Sequence, residues 1–317
     1  MMALLAGILA QLLHAALVVA AAPLLLGLAR WLKARMLGRA GPPPWQPVLT
    51  LLKLVRKRPV LAEGSSAVTR AAPSVAVVAL FAAAMLVPSF ARGMALAPLS
   101  DLVLIGALLA LARAAQVLAG MDAGTAFGGL GAAREASFAA LAEPAFLVSV
   151  LVIAMLAGGT NLEAASAALQ EGSAGLRVSL GLVLVALVVV ALAENARLPV
   201  DNPATHLELT MVHAATILEA SGRYLALWEA AAALRLLVWM SLLLALFAPF
   251  GAAGSVPAWP VAAALWAGKL AVLALALSAF ENAIARMRVF RVPEFLGVAL
   301  LLALVGAVLL FMSGVLA

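Results

Sequence analysis

The chain has 317 residues, 66% of them hydrophobic, with a net charge of +6 and no cysteine. Its apolar residues gather into continuous runs of about twenty, which excludes a soluble globular domain and describes a polytopic membrane protein. Without cysteine there is no disulfide, thiolate zinc site or cysteine-held iron–sulfur cluster. The positive charge reads as Lys and Arg in cytoplasmic loops, not as a nucleic-acid footprint.

About eight transmembrane helices are predicted, at 3–29, 73–91, 98–119, 137–157, 177–193, 224–250, 260–280 and 294–316. The runs do not alternate, so a β-barrel is excluded and the fold class is all-α, one transmembrane helical domain over 1–317. The first run is too long and too lightly flanked for a cleaved signal peptide. In the connector 30–72, a proline run (Pro42–Pro44) precedes Val48, Leu49, Leu51, Leu52 and Val55, with Lys53, Arg56 and Lys57 on the other face. That pattern predicts an amphipathic interfacial helix, serving as a lipid-surface anchor or as a gate or docking element. If 30–72 is cytoplasmic, then 120–136, 194–223 and 281–293 are too. These four connectors hold fifteen Lys and Arg, against only Arg92 and Arg177 on the opposite side. The imbalance puts both termini outside.

Ionisable groups at membrane depth are costly, so each one calls for a reason. Glu143 sits inside the fourth span, followed by Pro144, which cannot donate to the carbonyl of Ala140. Burial there would suit reversible protonation, and a salt bridge to Arg113, Arg235 or Lys269 is the structural alternative. Glu229 and Arg235 share the sixth span six residues apart and look to different neighbours. Lys269 either pairs or snorkels to the interface. Glu194 and Glu281 end the fifth and seventh spans, each followed by Asn, where the helix dipole disfavours a carboxylate. A cost accepted twice suggests a chain of acids. The loop 194–223 is the densest charged stretch, holding Glu194, Asp201, Glu208 and Glu219 with Arg197, His206 and His213. His206, Glu208 and His213 match no metal-ligand spacing, and no nucleophile with a paired base, phosphate loop or dinucleotide turn is present. No catalytic residue, metal or cofactor is therefore assigned.

Three stretches carry a resemblance: ARMLGRAGPPPWQPVLTLLKL in the first connector, GLGAAREASFAALAEPA at 129–145 and ENARLPVDNPATHLELTMVH at 194–213. Together they resemble the membrane subunit of energy-converting, group 4 nickel–iron hydrogenases, the family of formate hydrogenlyase subunit 4 and hydrogenase-4 component C. That family is similar in turn to the corresponding membrane subunit of the proton-pumping NADH:quinone oxidoreductase, complex I. The resemblance implies a non-redox, multi-pass subunit of a bacterial or archaeal cytoplasmic (inner) membrane. It implies that connectors 30–72 and 194–223 dock a soluble arm of nickel–iron hydrogenase large and small subunits and iron–sulfur subunits. Buried acids would then begin a proton or ion path leading into antiporter-like membrane subunits. By motif, Glu135 and Glu143 match the acids of the fourth-span region. Glu194, Arg197, Asp201 and Glu208 match the charged loop, and Glu219, Ser221 and Gly222 its end. Arg286, Arg288 and Arg291 fall in the last loop on the docking side. Ala214 stands where many hydrogenase relatives carry Glu after the histidine. The alternatives are a quinone-site subunit of an NADH:quinone oxidoreductase-like complex and a stand-alone secondary transporter, although inverted repeats are not evident.

Overall fold

The computed structural model describes residues 2–62, 64–170, 178–201, 212–285 and 287–315. His206, Glu208 and Arg286 lie outside the described residues. The regular elements there are helices: α1 (Met2–Met36), α2 (Gln46–Val55), α3 (Ala67–Leu86), α4 (Leu102–Asp122), α5 (Ala126–Ala157) and α6 (Leu162–Gln170). After them come α7 (Val178–Glu194), α8 (His213–Thr216), α9 (Gly222–Phe247), α10 (Trp259–Ala283) and α11 (Val292–Val315).

Local chemistry sets many of the ends. Ser66, Asp101 and Thr125 cap α3, α4 and α5 by accepting hydrogen bonds from free N–H groups of the first turn. Gly158, at φ 77°, closes α5 in the left-handed conformation that L side chains resist. Pro144 lies within α5, which continues through it as one helix.

Among the described residues seven helices, α1, α3, α4, α5, α9, α10 and α11, are long and apolar enough to cross a membrane, so the chain is a multi-pass membrane protein. The remaining predicted span, the fifth at 177–193, is α7. It is equally apolar but has only 17 described residues, a rise of about 26 Å against a hydrocarbon core of about 30 Å. The fourth span begins earlier than its hydropathy suggests, at Ala126, which takes Glu135 out of a connector and onto a helix.

At the centre lies α9. Of its most apolar 18-residue window, 78% is buried, against 28% for α10 and α11 at the edge. A helix apolar on every side is one enclosed by others, and α9 packs against α1, α2, α3, α6, α7 and α10. Small residues permit the close approaches. A Cβ on Gly131 of α5 would lie 2.8 Å from the Ala215 Cβ and 3.0 Å from the Val212 carbonyl, so only glycine lets α8 sit against α5.

The interfacial helix forms as predicted, with Pro47 in its first turn. Pro47 is buried toward the bundle while Leu49, Leu52 and Val55 remain exposed as an apolar strip. The connector that follows is tied to the loop before α9. Ser221 Oγ accepts from the Val60 N–H and donates to its carbonyl, both at 2.7 Å.

Candidate functional site

The polar interior is built around the fourth span's neighbour, α4. With 21 residues α4 rises about 32 Å, close to the bilayer thickness, and Arg113 is near its middle. A guanidinium is thereby held within the bundle. Its side chain is 6% exposed and bridges two acids: Glu143 of α5 at 3.2 Å, and Glu194, the last residue of α7, in a direct ion pair.

That contact fixes where α7 ends. Its C-terminus lies inside the bundle, beside Arg113. Arg235, midway along the 26 residues of α9, donates to the Glu194 carbonyl at 3.2 Å. Two guanidiniums thus face a helix end whose dipole and carboxylate are both negative. The chain leaves α7 through a Schellman turn: Arg197 N–H bonds the Leu192 carbonyl, Ala196 N–H bonds the Ala193 carbonyl, and Ala196 takes φ 47°. This turn throws Arg197 across to Glu281 of α10, 3.6 Å away, where Lys33 of α1 also pairs at 2.8 Å. Both Glu–Asn helix ends singled out in the sequence therefore carry cationic partners.

From Arg235 the polar line turns toward the end of the bundle that bears Lys33 and Glu281. Arg235 Nη2 donates to Gln116 Oε1 at 2.9 Å, and Gln116 Nε2 reaches His213 Nδ1 at 2.7 Å and Thr216 Oγ1 at 2.8 Å. Asp201, buried, accepts from the backbone N–H groups of Val212 and His213 at 3.4 and 3.3 Å. Burial, reinforced by the Arg235 charge, pushes the His213 imidazole down to about 3, so it is neutral at ordinary pH. Beyond it opens a cavity of about 450 Å³ lined by Arg30, Lys33, Arg197, Asp201, His213, Glu229, Arg235 and Glu281, among others.

The sequence-predicted residues fare unevenly. Glu135, Glu143, Glu194, Asp201, Glu281, Arg113, Arg197, His213 and Arg235 belong to this line or its margin. Glu143 is not the buried acid expected of a mid-span carboxylate: its side chain is 46% exposed on the flank of the bundle. The enclosed carboxylate of α5 is Glu135, about two turns nearer the start of the helix. Glu229 lies at the cavity, 3.9 Å from Arg30. Glu219, Arg288 and Arg291 lie outside the cluster. Lys269 pairs with no acid among the described residues; it donates to the Ala248 and Phe250 carbonyls and so caps the end of α9. Sequence reasoning missed Gln116, Arg30 and Lys33. The signal for Gln116 was its place three residues after Arg113, on the same face of an apolar helix. It also missed His14, buried in α1, with Nε2 3.0 Å from the Ala84 carbonyl and Nδ1 2.7 Å from Ser89 Oγ.

Fold and site together define a multi-pass helical membrane protein whose interior carries linked acids and guanidiniums. The chain belongs to the NADH dehydrogenase family, whose profile matches residues 8–312. It is 34% identical over 268 residues to hydrogenase-4 component C of Escherichia coli (strain K12), covering 84% of each chain. It is 30% identical over 289 residues to formate hydrogenlyase subunit 4 of the same organism, covering 90% of this chain and 93% of the relative. A chain of the membrane-bound sulfane sulfur reductase, an archaeal respiratory membrane complex, shares the fold. Its TM-score is 0.79 at 20% identity, covering 95% of this chain and 99% of that one. The resemblance read from the three sequence stretches is borne out.

Proposed function

We propose that this chain is the membrane-anchoring, ion-conducting subunit of a membrane-bound hydrogenase or formate hydrogenlyase-like complex. It couples redox chemistry in a docked soluble arm to ion movement through the acid–arginine line. Kinship with hydrogenase-4 component C and formate hydrogenlyase subunit 4 supports the assembly. One observation carries the ion path: among the described residues Glu194 Oε2 is buried with no hydrogen-bond partner, at the junction between Arg113 and the Arg235-held helix end. A carboxylate oxygen left open at that point is free to take and return a proton.

The path runs from the cavity through Asp201, Glu135 and Glu194 to Arg113, and out sideways at Glu143. An acid half-exposed at membrane depth suits a face covered by a second, antiporter-like membrane subunit. Connectors 30–72 and 194–223, with Arg288 and Arg291, form the docking face for nickel–iron hydrogenase and iron–sulfur subunits. The Lys and Arg asymmetry supports a cytoplasmic docking face with both termini outside, and the kinship supports the cytoplasmic membrane of a bacterium or archaeon. A second, quinone-coupled reading is favoured by the cavity, which reaches α1 and the start of α9 beside the interfacial helix.

The test is affinity purification in gentle detergent, followed by mass spectrometry and metal analysis. Recovery of hydrogenase subunits with nickel and iron is the expected result, and recovery with flavin and quinone would transfer the assignment to the second reading. A lone, metal-free protein would refute both. Glu143→Gln is expected to abolish coupling while the complex still assembles; coupled activity at the wild-type level would remove Glu143 from the path.

A further inference from the structure

The hydrogen bonds around Gln116 leave little freedom of assignment. Arginine has only donors, so the Gln116 atom 2.9 Å from Arg235 Nη2 must be the carbonyl oxygen, and the amide cannot be flipped. Its nitrogen then faces His213 Nδ1 and Thr216 Oγ1. An amide nitrogen donates and does not accept, so both partners must present lone pairs. Thr216 does so, because its own proton goes to the His213 carbonyl at 2.8 Å. His213 can do so only with Nδ1 bare and its single proton on Nε2.

We propose that Gln116 is a positioning residue that locks His213 in the neutral Nε2–H tautomer and thereby prevents the ring from relaying protons between the cavity and the Arg235–Glu194 junction. A relaying imidazole takes a proton at one nitrogen and releases another from the other. Here Nδ1 already accepts from a group that has no lone pair to offer in return, and a second ring proton would point N–H at N–H. The Gln116 oxygen, which could accept, is held by Arg235. His213 lines the cavity, so Nε2–H remains its donor toward whatever occupies that space. Among the described residues, the charged groups around this point include Arg113 on α4, Glu135 on α5, Asp201 and Glu194 beside the α7 exit, and Arg235 on α9. Of these, Arg235 adds its positive charge against imidazolium formation. The insulating role rests on the proposed ion path, whereas the tautomer does not.

The experiment is solid-state NMR of the complex in liposomes with 15N-labelled histidine. The three histidines are assigned by substituting His14 and His206 in turn. The wild-type His213 spectrum is expected to show bare Nδ1 and protonated Nε2, without imidazolium down to about pH 5, well below the ordinary midpoint of about 6.5. Protonated Nδ1, or imidazolium at neutral pH, would overturn the proposal, and this needs no variant to fold. Gln116→Glu is expected to protonate Nδ1 and to change the pH profile of ion translocation by opening a route through the ring. An altered tautomer with an unchanged profile would overturn the insulating role. Failure of the ion-path reading shows itself separately, as coupling that survives Glu194→Gln.

Discussion

Removing Arg113 tests the architecture most directly. The Arg113 and Glu194 side chains are 6% and 4% exposed, so the pair is withdrawn from solvent. Replacing both partners of such a pair with apolar groups is often nearly neutral, whereas removing one strands a buried charge at a cost of about 3–5 kcal/mol. Arg113→Met leaves the Glu194 carboxylate against its own helix dipole, with Arg235 reaching only the carbonyl. Glu143, half in contact with the surroundings, loses less. At about 2–4 °C per kcal/mol, the single variant should melt about 6–20 °C lower. The double variant Arg113→Met with Glu194→Met should recover most of that loss. The six tryptophans provide a fluorescence readout of thermal unfolding in detergent. A single variant within about 0.5 kcal/mol of wild type, or a double variant no better than the single, would refute the buried-pair reasoning.

Ala196→Gly should stabilise the chain by about 0.5–1 kcal/mol, because Ala196 holds φ 47° at the α7 exit where glycine has no Cβ penalty; a lower melting temperature would count against the Schellman assignment. Gly131→Ala should destabilise by about 1–3 kcal/mol despite the better helix propensity of alanine, since its Cβ would meet α8 at 2.8 Å. The same substitution should broaden or shift the His213 NMR signal. Because the His213 pKa is lowered from 6.5 to about 3, the unfolded chain binds more protons than the folded one between those values. Its contribution is therefore intact above about pH 6.5 and is lost as pH falls through that window, by up to about 1.4 kcal/mol per unit. A His213→Gln variant should show a flatter stability profile across the window, and an equal slope would assign the acid sensitivity elsewhere.

Helix number and type were legible because a lipid-spanning helix needs about twenty apolar residues whatever it packs against. Depth was not. Hydropathy placed Glu135 in a connector, since Arg134, Glu135 and Ser137 interrupt the apolar run. In the fold they continue a helix that lies against α4 and α8. The same blindness made Glu143 look like the enclosed acid. Along one helix, its neighbours in sequence are apolar, but its face turns to the flank of the bundle, and only the arrangement of α4 and α7 decides that. Gln116 was passed over because an uncharged amide raises no alarm in a charge count. Its consequence comes from Arg235, 119 residues away in sequence.

The two Glu–Asn helix ends gain their meaning from where the helices stop. If the last turn of α7 lay elsewhere, Arg113 would lose its buried partner and Arg235 the carbonyl it now reaches. Ending at Glu194 puts the carboxylate at the guanidiniums, and the residues that follow are buried from Leu198 to Asp201. That loop carries Arg197 to Glu281 and Asp201 to the N–H groups at the start of α8. Loop backbone at membrane depth is tolerated where its polar groups are met by protein or by a cavity. Here Arg235 meets the helix end on one side and the cavity of about 450 Å³ borders the loop on the other. The stop of α7 at Glu194 thus accounts for the buried ion pair, for one border of the cavity and for the link between the two acids.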